Sequence, residues 1–270
     1  MNLEGFDPVI LGPAFAAGLL VVATHVPLGI QVLRRGIIFI DLAVAQIAGL
    51  GVLIAGTLEL GDEGWQVQAI AFAAALLGAA ALYFCERRLP EVLEAVIGVV
   101  FALAATAAVL VLANSPHGGE HLKDLLVGQI LWADWGQLRF MAALYAVVLA
   151  GWYFLRGAAR PLVFYGLFAL TITASVQLVG VYLVFASLIV PALSVRRLHG
   201  RHKVWVGYLT GITGYALGLA LSALLDLPAG AVIVWTLAAS GLALSRLFAG
   251  RLMPATQIEP RRRAVEDSTS

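Results

Sequence analysis

The sequence predicts an all-α fold, a polytopic bundle of eight to nine membrane-spanning helices, and three observations carry that reading. Hydrophobic residues make up 61% of the 270 and charged ones only 12%. Mean hydropathy is +0.94. The charges gather in short patches between long uncharged runs, too few and too clustered to wet the surface of a water-soluble domain. The net charge of +1 argues against a nucleic-acid partner, and the single cysteine, Cys85, excludes an intrachain disulfide or a cysteine metal cage.

A helical span of hydrocarbon needs roughly 20 apolar residues, and the chain divides accordingly. The first span, roughly 9–33, follows a flank carrying Glu4 and Asp7 instead of the basic start of a signal peptide, so it is expected to stay in the mature protein. It ends at Arg34 and Arg35. The second, roughly 36–58, runs to Glu59, Asp62 and Glu63, and the third, roughly 66–85, returns to Arg87 and Arg88. The fourth, roughly 92–113, reaches a polar loop; the fifth, roughly 137–155, ends at Arg156 and Arg160. The sixth and seventh, roughly 161–177 and 179–195, share so little chain that one broken span, and a total of eight, is the alternative. The eighth, roughly 204–224, carries Gly207/Gly211 and Gly214/Gly218, two Gly-x-x-x-Gly pairs that permit close backbone contact, within the bundle first and between subunits second. The ninth, roughly 230–248, precedes a polar tail (251–270) expected to be disordered.

Fifteen of the seventeen Lys and Arg residues fall on alternate loops, while the opposite loops are mostly acidic. The positive-inside rule then sets the N-terminus outside and the C-terminus in the cytoplasm, a parity that nine spans satisfy.

Ionisable groups within spans mark candidate functional positions. Asp41 is expected one to two turns inside the second span, on a substrate route or else paired with a neighbouring helix or Arg35. Gln46 follows on the same helix, about 140° around from it. His25 reads equally as a packing residue, with Pro27 freeing a carbonyl for it, or as a ligand. His117, Glu120 and His121 have the His-x-x-Glu-His order of a zinc peptidase, but Pro116, Gly118 and Gly119 disfavour the helix such a motif requires. A loop that receives a metal loosely, or a plain solvated loop, is what remains. Ala238-Ala-Ser-Gly241 lacks the first glycine and the downstream histidine of a serine nucleophile site, and no Gly-x-x-x-x-Gly-Lys loop is present to hold ATP. No catalytic activity is expected.

Three stretches together resemble the metal-ion permease family of ABC transporters, the membrane subunit of zinc and manganese importers. They are Pro27-Leu-Gly-Ile-Gln-Val-Leu-Arg-Arg-Gly36, Glu94-Ala-Val-Ile-Gly-Val-Val-Phe101, and Gln177-Leu-Val-Gly-Val-Tyr-Leu-Val-Phe-Ala-Ser-Leu-Ile-Val-Pro-Ala192 with Asp226-Leu-Pro-Ala-Gly-Ala-Val-Ile-Val234. The resemblance covers roughly residues 10–248 and implies the vitamin B12-type importer fold. It further implies a second permease copy, a pair of cytoplasmic ATPases, an extracytoplasmic metal-binding protein, and Zn²⁺ or Mn²⁺ as cargo with no resident cofactor. A bacterial inner membrane is the implied location. The ATPase-coupling segment falls at Pro191 to Lys203, with Arg196, Arg197, His199, Arg201 and Lys203 toward the cytoplasm; plain positive-inside topology also accounts for those charges. Two features depart from the family. Its second span usually carries an Asp followed four residues later by His. Here, aligned from Arg35, Asp41 matches that acid; aligned from Gly51-Val52, Gln46 replaces the His, and an amide suits Mn²⁺ or mere passage better than Zn²⁺. The stretch between Arg160 and Gln177 also lacks the family's cytoplasmic insert. A transporter or channel that needs no ATPase is the competing class.

Overall fold

The computed structural model describes residues 7–252 apart from 58–64, 114–117, 156–159 and 199. His117, His199 and the tail from residue 253 lie outside the described residues. Among the described residues the chain is helical throughout, in the order α1 (Pro8–Arg35), α2 (Ile40–Thr57), α3 (Trp65–Arg88), α4 (Leu93–Leu112), α5 (Gly118–Val127), α6 (Trp135–Phe154), α7 (Pro161–Ser194), α8 (Arg201–Leu225) and α9 (Ala229–Leu252). Seven of these helices are long and apolar enough to cross a membrane; α2 is a shorter apolar helix and α5 has only ten residues.

Local chemistry sets the ends of α1. Asp7 accepts the Val9 amide at 2.8 Å, Pro8 opens the first turn, and Gly36 takes the left-handed conformation at φ 71° that closes the helix. Arg34 and Arg35 lie in the last turn, where cations complement the carbonyl end. Pro27 inside the helix has no N–H, so the Ala23 carbonyl loses its helical partner. The Tyr208 hydroxyl of α8 donates to that carbonyl at 3.1 Å. The freed group therefore ties α1 to α8, and His25 bonds elsewhere.

The glycine pairs of α8 serve packing within the bundle. Gly207 and Gly211 face Val26 and Val22 of α1, and Gly214 and Gly218 face Leu237 and Ile233 of α9. Thr236 adds a hydrogen bond to the Gly214 carbonyl at 2.7 Å. Backbones this close leave no room for a subunit contact at the same glycines.

The element α7 is two helical arms joined at Gly180, whose φ 76° and ψ 164° are not helical. Its neighbours give the direction of each arm. At the start, Phe164 lies under the Arg35 guanidinium, 4.6 Å from ring centroid to cation, and Tyr165 meets Tyr83 near the end of α3. Near the break, Gln177 accepts from Gln68 in the first turns of α3 at 2.7 Å. Beyond it, Leu188 and Ala192 press on Gly29, and Ser194 bonds Thr210 at 3.1 Å. Phe164 and Ala192 thus both neighbour the last two turns of α1, whereas a straight helix would separate them by about 42 Å. The arms run in opposite directions, as the two-segment reading of 161–177 and 179–195 requires.

Gly128, with φ 73°, seats this reversal. A Cβ on Gly128 would collide with the Val179 carbonyl carbon, and one on Gly180 with the Gly128 nitrogen, so the two backbones cross where only glycine fits. Gly128 ends α5, which corrects the expected open loop. Although glycine disfavours helix, Gly118 packs against Leu112 and the helix lies on α7, so tertiary contact overrides propensity.

Candidate functional site: an open apolar cavity beside a basic segment

A cavity of about 660 Å³ opens between α2, α4, α5, the second arm of α7 and α9. Phe101, Leu126, Phe185 and Val234 make much of its wall, and Gln46 supplies an amide. Gln46 is 2% exposed, and its Oε1 has no hydrogen-bond partner. Tyr182 and Trp235, 55% and 78% exposed, stand at the rim. Such a wall offers few ligands. It suits passage better than tight storage, since a conducting path must release what enters it.

Asp41 does not line this cavity. The sequence placed it one to two turns inside its span; α2 instead begins at Ile40, so Asp41 sits in the first turn. The reason is local. Residues 36–39 form the turn out of α1, and Glu94 of α4 accepts the Ile38 amide, fixing where α2 starts. Asp41 is 1% exposed, and neither carboxylate oxygen has a partner. Arg35, one candidate partner, pairs with Glu86 at 3.2 Å instead. An unpaired buried carboxylate is costly, and either a proton or a bound cation offsets it.

His25 is fully buried on α1. Its Nδ1 lies 2.9 Å from the Val21 carbonyl, so Nδ1 carries the proton as donor, and Nε2, with no partner, is left as the lone-pair atom. Around the hairpin lie hydroxyl pairs that the sequence did not single out, Tyr145 with Ser175 on the first arm and Tyr215 with Ser187 on the second. Single serines in apolar runs were the available signal. Glu120 and His121 are exposed in the first turn of α5. Among the described residues no three His, Cys, Asp or Glu side chains gather to hold a metal ion.

The second arm joins the cavity to the opposite surface. Val181, Tyr182, Phe185 and Val190 face the cavity; Pro191 is buried, and the chain leaves the arm through a turn that exposes Arg196 and Arg197. Arg201 opens α8, and Lys203 is half-buried two residues on. Pro191, Arg196, Arg197 and Lys203 thus lie on one short path, at the same end as Arg34 and Arg35.

The fold is shared with solved transporters. PsaBC from Streptococcus pneumoniae, in complex with Fab, superposes with a TM-score of 0.73 at 20% identity over 93% of this chain and 100% of that one. A metal-chelate type ABC transporter in an inward-facing conformation gives 0.63 at 16% identity, over 93% and 92%. No curated protein matches the chain in sequence. The model of the ABC 3 transport family matches residues 8–158 and 156–248, which together take in every span and both arms of the hairpin, and the chain belongs to that family.

Proposed function

We propose that this permease subunit imports a divalent transition metal, Zn²⁺ or Mn²⁺, across a bacterial inner membrane, driven by cytoplasmic ATPases and supplied by an extracytoplasmic binding protein. The single observation that carries this reading is the second arm of α7, which walls the cavity and continues without interruption into the exposed Arg196-Arg197 turn. A push on that turn moves the cavity wall, because a helix transmits displacement along its axis. The solved metal-chelate transporter of the same fold supports the cargo class. In this reading the basic end is cytoplasmic, the N-terminus is outside, and the rim at Tyr182 and Trp235 is closed by a second copy. Asp41, Gln46 and His25 are the groups offered to the ion inside, and His117, Glu120 and His121 to the ion arriving outside.

The test is metal uptake into vesicles holding the permease, the candidate ATPase and the binding protein. Uptake of Zn²⁺ or Mn²⁺ that requires ATP and crosslinks between cysteines at residues 194–203 and the ATPase are expected. Equal flux without ATPase would instead establish a self-sufficient transporter.

A further inference from the structure

A second cavity, of about 500 Å³, lies at the basic end, away from the first. Three cations from separate elements reach it: Arg34 from the last turn of α1, Arg196 from the turn after α7, and Lys203 from the first turn of α8. No Asp or Glu is among its walls, and none of the three cations forms an ion pair among the described residues. Arg34 is close enough to Lys203 to repel it. Converging like charges of this kind are unfavourable until an anion joins them.

The helix start beside them adds donors. Gly200, at φ 67°, precedes α8 and supplies no side-chain cap, so the N-terminal end of a 25-residue helix, with its first-turn amides, opens on the cavity wall formed by Gly200, Lys203 and Val204. The remaining walls are the Gln31 amide and the apolar Pro27, Ile30, Leu198 and Trp152. Nearby Tyr153, Phe154 and Trp205 are 79%, 77% and 71% exposed, the pattern of an aromatic belt at the membrane–water boundary. Anionic headgroup above, hydrocarbon below, is the ligand that matches these walls.

We propose that this cavity binds the phosphate headgroup of an anionic phospholipid, wedged between α1, α6 and the basic segment. Basic pockets between spans on the cytoplasmic side have the chemistry for such lipids. An ATPase loop would match the charges but not the apolar lower walls. Through Arg196 and Lys203, the bound lipid fixes the segment between α7 and α8. The inference rests on the membrane placement proposed above and not on the cargo.

The test uses the purified full-length chain in neutral detergent, with its melting followed by tryptophan fluorescence. Dioctanoyl phosphatidylglycerol should stabilise it saturably, and dioctanoyl phosphatidylcholine should not. In Arg34→Gln/Lys203→Gln the half-saturating concentration should rise about thirty-fold. Arg87→Gln/Arg88→Gln, which removes the same charge from the same end outside the cavity, should keep the wild-type value. If the double variant purifies poorly, Lys203→Met keeps the stem and should give about a five-fold rise. An unchanged half-saturation in the Arg34 and Lys203 variants overturns the proposal. So does inorganic phosphate stabilising as well as the lipid, which would mark a free-anion site. The readout needs neither metal nor ATPase, so its failure leaves the transport reading standing.

Discussion

The two arms of α7 come from one apolar stretch, yet they live in different surroundings. The first arm is buried along one face and open at its start, where Leu162 is 60% exposed. Phe164, Phe168 and Ile172 are fully buried, Thr171, Thr173 and Ser175 bond back to the carbonyl one turn earlier, and Gln177 is held by Gln68. The second arm is buried along most of its length, with Leu188 against α1, Val190 against Gly241 of α9 and Phe185 stacked on Phe39, while Tyr182 reaches open space at the cavity rim. Its hydroxyl, Ser187, bonds across to Tyr215. The difference lies in what each arm borders: only the second arm walls the cavity, so only its displacement reshapes that wall.

The largest effect should come from the point where the arms meet. Gly180→Ala puts a Cβ into the Gly128 backbone at a positive φ, and a loss of about 3 kcal/mol or more is expected. Size-exclusion of the solubilised variant should show little monodisperse protein. A normal profile would mean that the reversal does not depend on the glycine crossing.

Asp41→Asn comes next, and it asks on which side of α2 the ion travels. Uptake should be abolished with expression and assembly intact, because the amide keeps the shape and removes the charge. Wild-type uptake would place the whole route along the second arm and make Asp41 a packing residue.

Reversing Arg196 and Arg197 to Glu tests the outer end of the second arm. ATP-dependent uptake should fall about ten-fold or more, through lost charge complementarity with the ATPase, at unchanged melting temperature. A drop in melting temperature with uptake preserved would show that the turn serves folding alone.

The hydroxyl pairs give a smaller and more discriminating comparison. Ser175 keeps its bond to the Thr171 carbonyl when Tyr145 loses its hydroxyl, but Ser187 has only Tyr215. Tyr215→Phe should therefore cost about 1–2 kcal/mol and Tyr145→Phe about 0.5–1 kcal/mol, read from thermal melts. The reverse order would contradict this difference in bonding between the two serines.

The smallest change is expected at Gln46. Gln46→His puts an imidazole at the cavity wall and should move the ratio of Zn²⁺ to Mn²⁺ transport toward zinc, by a few-fold. If Gln46→His and Gln46→Ala both leave the ratio unaltered in vesicles, selection belongs to the external binding protein.

Much of the bundle was legible in the sequence. Apolar runs of about 20 residues between charge patches have one stable fate in a bilayer, so α1, α3, α4, α6, α8 and α9 fall close to their expected limits. The boundary expected at residue 178 is two residues from Gly180. The angular offset between Asp41 and Gln46 likewise follows from helical geometry, and the structure puts Gln46 at the cavity and Asp41 away from it. The site was less legible. The cavity draws its wall from five elements distant in sequence, the start of α2 depends on Glu94 from α4, and α5 is a helix because of what it rests on.

What the sequence determined by itself is whatever a local rule enforces: the all-helical class, the spans, the segregation of charge to one end, and close approach at Gly207, Gly211, Gly214 and Gly218. A backbone in hydrocarbon must satisfy its own hydrogen bonds, and that constraint acts residue by residue. Only the tertiary structure decided which helix meets those glycines, that α7 folds back on Gly128, and that Ala23 is claimed by Tyr208 and not by His25. Those outcomes depend on groups brought together from far along the chain, where a carbonyl freed by proline or a glycine without a Cβ takes whichever partner the packing delivers.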